Sequence, residues 1–227
     1  MEGAPPFIII SVPSIRLKTA VSKRPILLAV DPSLTCSGWA TFCLMTKQLL
    51  AVGEIKAIGP EYSMGLRLKN FQIEVQKLYQ QLELNANDIV ICEAPTTMRD
   101  PRAALLIEQV RCVFECLARN HGSHVPGRIN PRTVHKELLG FRGLRQQRRE
   151  VVKDQALAVA KVLYGEVLAT FGIGDKLAKH QDIADALLIG NLALGWIHQS
   201  KTTKTNLEVF FEQRKGSRNG IKRAYAA

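Results

Sequence analysis

Acid is scarce in this chain of 227 residues: Asp and Glu number 20 against 31 Lys and Arg, leaving a formal charge of +11. A pI near 9.6 favours nucleic acid or another anionic surface as partner. Long apolar runs are missing too. None approaches the roughly 20 residues of a membrane span. Phe7 to Val12 is too short for a signal-peptide core and has no convincing cleavage site after it. Cysteine occurs at positions 36, 43, 92, 112 and 116, an odd set without a CxxC pair. That excludes an obvious disulfide framework and fits a reducing compartment. Cys112 and Cys116, followed by His121 and His124, can be drawn as a zinc site. The spacing is wider than the usual knuckle, however, and helical periodicity places both cysteines on the apolar face of one helix. There is no internal repeat, which excludes a solenoid.

What remains is a chain that is 46% hydrophobic and long enough for one good core. Residues 1–24 hold two adjacent prolines and scattered basic residues without a period, and read as a poorly ordered extension. An organellar targeting segment is the alternative, because the stretch is nearly acid-free and carries Arg16, Lys18, Lys23 and Arg24. Residues 25–199 read as a single domain. Residues 25–31 are a buried strand, and Gly38–Met45 and Leu49–Ile58 continue an antiparallel meander. Leu66, Phe71, Val75, Leu78 and Leu82 recur at helical spacing, and Ile89 to Glu93 is a fourth strand. Pro101 opens a second helix with the stripe Ala103, Leu106, Ile107, Val110, Val113, Phe114 and Leu117. A short fifth strand at 125–129 and helices over 131–139, 150–168 and 182–198 complete the domain. Residues 200–227 read as a polar, basic, poorly ordered tail. The fold class is α/β, a mixed five-stranded sheet with helices on both faces.

Four acids stand out. Asp31 and Glu93 each end a run of apolar strand residues, which places them at the carboxyl edge of an α/β sheet. Asp31 precedes Pro32 and also suits a turn. Glu93, after four apolar residues, must be paired or bind metal if its strand is central. Asp182 and Asp185 share one helix face at the start of an apolar stretch. Asp at a helix start also suits a cap, but Ala186 to Ile189 turn Asp185 toward the packed layer. Two divalent ions about 4 Å apart require such an acid cluster to clamp an in-line phosphoryl displacement. His180, two residues before the pair, is a further candidate ligand or proton relay.

The basic counterpart lies between Arg128 and Lys153, where eight Lys and Arg face only Glu137 and Glu150. So dense and one-signed a run beside Gly140 and Gly143 reads as a phosphate-gripping loop. Its candidates for DNA binding are Arg132, His135, Lys136, Arg142, Arg145, Arg148, Arg149 and Lys153.

Taken in order, AVDPSLTCSGWA, KQLLAVGEIKAIG, GLRLKNF, DIVICEAPTTMRD, TVHKELLG, KDQALAVAKVLYG and HQDIADALLIG resemble the RuvC family of Holliday-junction resolvases, which have the RNase H-like fold. The likeness runs from about Pro25 to His198. It implies that Asp31, Glu93, Asp182 and Asp185 bind two Mg2+ ions, with Mn2+ able to substitute. It also implies that Lys153 positions or neutralises the scissile phosphate. The implied protein is a homodimeric endonuclease that nicks four-way DNA junctions symmetrically in recombination and repair. A cytoplasmic, nucleoid-associated location and a branch-migration helicase partner go with that reading. The alternatives are an RNase H-like nuclease acting on structured RNA or flaps, and a junction-binding protein that does not cut. Where the family carries an aromatic wedge after the strand-four glutamate, this chain has Pro95-Thr96-Thr97-Met98, and Met98 is the apolar candidate for that role. The stripe of helix 101–118, with Ala103, Ala104 and Leu106, is the candidate dimer face.

Overall fold

The computed structural model describes residues 7–11, 24–95, 100–141 and 149–214. Six strands form one sheet: β1 (Phe7–Ser11), β2 (Ile26–Asp31), β3 (Ser37–Cys43), β4 (Leu49–Ile55), β5 (Ile89–Glu93) and β6 (Arg128–Ile129). Their order is β1-β4-β3-β2-β5-β6. The pairs β1·β4, β4·β3 and β3·β2 are antiparallel, while β2·β5 and β5·β6 are parallel. The five strands expected from sequence are present in the expected arrangement. The sixth is β1, in the segment read as a poorly ordered extension: Phe7 to Ser11 lie opposite Ile55 to Ala51.

Among the described residues, six helices flank the sheet: α1 (Met64–Gln81), α2 (Pro101–Asn120), α3 (Pro131–Glu137), α4 (Arg149–Thr170), α5 (Gln181–Thr202) and α6 (Leu207–Arg214). A 3-10 turn at Gly174–Lys179 leads into α5. Helix starts follow local chemistry. Asp100 and Asn130 accept hydrogen bonds from Arg102 and Arg132 backbone N–H groups, and Pro101 and Pro131 occupy first-turn positions that need no N–H partner. Among the described residues, no helix is long and apolar enough to cross a membrane.

The central strands are buried on both faces, so alternation in β2 divides its side chains between two cores. Leu27 and Ala29 join the core built around α5, with α3, α4 and α6 beside it. Leu28 and Val30 join the core under α1 and α2. From Ile183 to Ile197 α5 is buried almost all round, as a helix laid across a sheet and covered by others must be.

Residues 207–214, read from sequence as poorly ordered tail, form α6 instead. Phe210 and Phe211 pack against Trp196, and the Arg214 guanidinium lies 5.2 Å from the Trp196 ring centroid. Cys112 and Cys116 are exposed rather than on the apolar face of α2. The buried stripe of that helix is Val110, Phe114 and Leu117.

Candidate active site

The parallel register sets Val30 opposite Cys92, so Asp31 and Glu93 emerge as neighbours at the carboxyl edge of β2 and β5. The other end of this pair is fixed by Asp88, a buried carboxylate accepting from the Ile26 N–H at 2.8 Å and the Asn85 N–H at 2.9 Å. The first turn of α5 supplies Asp182 and Asp185. Gly38, directly opposite Asp31 on β3, lets that turn come close. A Cβ on Gly38 would stand 2.7 Å from the Ile183 nitrogen and nearer still to the Asp182 carbonyl. Strand edge and helix start thus meet because one residue between them has no side chain.

The four acids line a cleft of about 220 Å³, shared with Arg111, Arg149, Lys153 and Gln181. Crowded anions in a half-buried site resist ionisation. Burial first, then the charges of Glu93, Asp185 and Asp182, push the Asp31 carboxyl well above the usual carboxylate range, with Arg111 opposing. Burial and Asp185 bring Glu93 up to about 7, again against Arg111. Asp185 rises to about 6 through burial, although a hydrogen bond from Gln181 and the charges of Lys153 and Arg149 hold it down. Such a cluster favours its protonated forms, and its oxygen donors are of the kind that hold a divalent cation.

No protein-family model matches the chain, and no curated protein matches it by sequence. Among solved structures, Thermus thermophilus RuvC in complex with a Holliday junction substrate is similar at a TM-score of 0.53 and 14% identity, covering 79% of this chain and 96% of that one. A second structure of Thermus thermophilus RuvC gives a TM-score of 0.53 at 16% identity, with 78% and 96% covered. The fold is RuvC-like.

On this RuvC-like frame, six residues singled out in the sequence converge on the cleft: Asp31, Glu93, Asp182, Asp185, Arg149 and Lys153. His135 lies behind them, lining a void of about 20 Å³ together with Glu93 and Asp185, and burial lowers its pKa. Arg132 and Lys136, on the same short α3, are exposed. Met98, Arg142, Arg145 and Arg148 lie outside the described residues. On α2, Ala104 lines the cleft, Ala103 and Leu106 are half-buried, and Leu105 beside them is 67% exposed.

His180 does not line the cleft. Its Nδ1 meets Glu54 Oε1 at 2.9 Å, and the other oxygen of Glu54 pairs with Lys56 at 3.2 Å. Glu54 is buried on β4 opposite Gly38, so it anchors the residue that starts α5. Cys36, Glu54 and Asp182 present ligand atoms within 4.8 Å of one another, with Asp182 the member shared with the cleft. Burial and Asp182 push the Cys36 thiol far up, so it stays a neutral neighbour.

Sequence reasoning missed Glu54 and Arg111. Each interrupts an apolar pattern: Glu54 ends the run Leu49 to Gly53, and Arg111 follows Val110 on the buried side of α2. A charge inside a buried pattern was the available signal.

Proposed function

We propose that this chain is a divalent-metal-dependent endonuclease that resolves four-way DNA junctions by paired symmetric nicks. The observation that carries the reading is the convergence of four carboxylates, from two strand ends and one helix start, on a cleft rimmed by Arg149 and Lys153. Hard oxygen donors without a thiol or imidazole suit Mg2+, with Mn2+ as a substitute. Asp31, Glu93, Asp182 and Asp185 would hold two such ions. When bound, the ions supply charge stabilisation to a phosphoryl displacement and an activated water.

The protein's own groups perform the rest. Lys153 and Arg149 bring positive charge to the side of the cleft next to Asp185, where they bind and orient the phosphate to be cut. Arg132 and Lys136 are exposed on α3 and track the backbone beyond it. With the segment 142–148, they give the non-specific, salt-dependent share of affinity. A two-fold junction needs two matched sites, which a homodimer provides, and the α2 stripe with Ala103, Ala104 and Leu106 is the candidate for its contact face, with exposed Leu105 beside it. Recombination and repair are the processes that generate such substrates, and a branch-migration helicase is the fitting partner.

The test is a labelled four-way junction incubated with Mg2+, with Mn2+ and with Ca2+. Paired symmetric nicks in Mg2+ and Mn2+, with binding but little cutting in Ca2+, support the proposal. Cleavage confined to RNA would replace it with the RNA-nuclease reading. A gel shift without cleavage would replace it with a binding protein. Asp31→Asn and Asp185→Asn should each abolish cutting while keeping, or tightening, junction binding. Near wild-type cutting by either variant would remove that residue from the site.

A further inference from the structure

Among the described residues, Arg111 is the one cation in the cleft wall with almost no contact with water. Its side chain is 1% exposed, among the largest fully buried side chains of the molecule. An unpaired buried guanidinium is costly, so its partners define its role. On one side its Nε donates to the main-chain carbonyl of Glu93, and its Nη1 meets the Glu108 carboxylate. On the other side it lines the cleft with Asp31, Glu93, Asp182 and Asp185.

Glu108 does not belong to Arg111 alone. It also takes Arg128 at 2.8 Å, while Arg128 makes a two-point contact with Glu115 at 2.6 and 2.9 Å. The chain Arg111–Glu108–Arg128–Glu115 therefore ties α2 to β6 behind the site. It holds the guanidinium in one place, as a planar fork with several fixed partners is held. Lys153 and Arg149 also line the cleft but are exposed. Arg111 is the charge built into its floor.

We propose that Arg111 is the resident counter-ion of the strand-edge acids, a positioning residue that keeps Asp31 and Glu93 side by side in the metal-free protein and competes electrostatically with the divalent ions that enter the cleft. The inference rests on the reading of those acids as a metal site. Its physical basis is reciprocity: two cations satisfying the same anions must weaken one another. The Arg111 Nε sits on the Glu93 main-chain carbonyl, and the β2·β5 register sets Asp31 beside Glu93, so the guanidinium stands close to both strand-edge acids.

Removing the charge should therefore have two opposite effects. In Arg111→Met the metal-free protein loses stability, because the acids repel with nothing between them. Its affinity for Mn2+ should rise by about tenfold, because no fixed cation opposes the ion. Arg111→Lys keeps the charge without the planar fork and should show near wild-type Mn2+ affinity. Isothermal titration with Mn2+ alone, and melting temperatures with and without Mn2+, give the comparison. The expected result is a larger Mn2+-induced rise in melting temperature for Arg111→Met than for wild type. An equal rise in both, or weaker Mn2+ binding in Arg111→Met, would overturn the proposal and reduce Arg111 to a packing residue.

A second comparison needs no metal. Asp31→Asn should raise the metal-free melting temperature more in the Arg111→Met background than in wild type. If Arg111→Met alone does not fold, recovery of a folded double variant supports the counter-ion role, and failure of both variants overturns it. No cleavage enters either measurement. Loss of the nuclease reading would appear as an uncut junction with these shifts intact. Loss of the counter-ion role would appear as a normal nuclease without them.

Discussion

Replacing Gly38 by Ala tests how the site is assembled, because it adds one methyl group where helix start and strand edge touch. That carbon would lie 2.7 Å from the Ile183 nitrogen and closer still to the Asp182 carbonyl, both of them backbone. Reaching ordinary contact at 3.4 Å requires about 0.7 Å of movement at Ile183 and more at Asp182. No flexible side chain can yield instead, so the first turn of α5 must lift away from β3. The core beneath α5 then opens, and overpacking of this kind costs about 1–3 kcal/mol. The larger effect is on chemistry. Asp182 and Asp185 ride on the displaced turn, whereas Asp31 and Glu93 stay with the sheet, so the two halves of the cluster separate. Functional constellations tolerate about 0.5 Å of error, and a misplacement of about 1 Å costs roughly a hundredfold in rate. Gly38→Ala should therefore stay folded, melt a few degrees lower, and lose about two orders of magnitude in single-turnover cleavage of a four-way junction in Mg2+. Weaker Mn2+ binding measured beside the rate would locate the loss in the cluster. A variant with wild-type rate and wild-type melting temperature would refute the claim that this contact sets the geometry of the acids.

Four further outcomes are expected. Glu93 and Asp185 are raised to about 7 and about 6, so in the metal-free protein their stabilising contribution is complete below about pH 4 and lost as pH rises through those values. Divalent ions need the ionised acids, so the gap in melting temperature between Mg2+ and chelator should widen from pH 5 to about pH 7.5; a constant gap would contradict the raised values. Phe211→Ala should destabilise by about 3–5 kcal/mol in urea unfolding, because Phe211 is fully buried against Trp196, and a loss within about 0.5 kcal/mol would mean α6 is not part of the core. Lys153→Ala should lower the single-turnover rate more than junction affinity. Arg145, Arg148 and Arg149 changed together to Ala should instead lower affinity for every DNA structure and flatten the salt slope by roughly 0.9 per lost phosphate contact. An unchanged slope in the triple variant would leave the basic run a solvated face.

The amino-acid sequence by itself determined where the acids sit along the chain. Buried strands read as apolar runs because both faces are covered, so Asp31 and Glu93 were visible as their ends. Asp182 and Asp185 were visible because a helix puts positions three apart on one face. The basic stretch was visible as composition alone. Tertiary structure decided what one-dimensional patterns cannot express, namely which neighbour covers a residue. β1 is a strand because the outer edge of β4 has backbone groups to pair, and α6 is a helix because Trp196 offers Phe210 and Phe211 a surface. Cys112 and Cys116 fell outside the core because the buried arc of α2 is narrower than its apolar composition suggests. Glu54 and Arg111 read as ordinary charges on a strand and a helix until His180 and the carbonyl of Glu93 are brought against them from 126 and 18 residues away. Burial of a charge belongs to the pair that makes it tolerable, and that pair exists only once the chain has closed on itself.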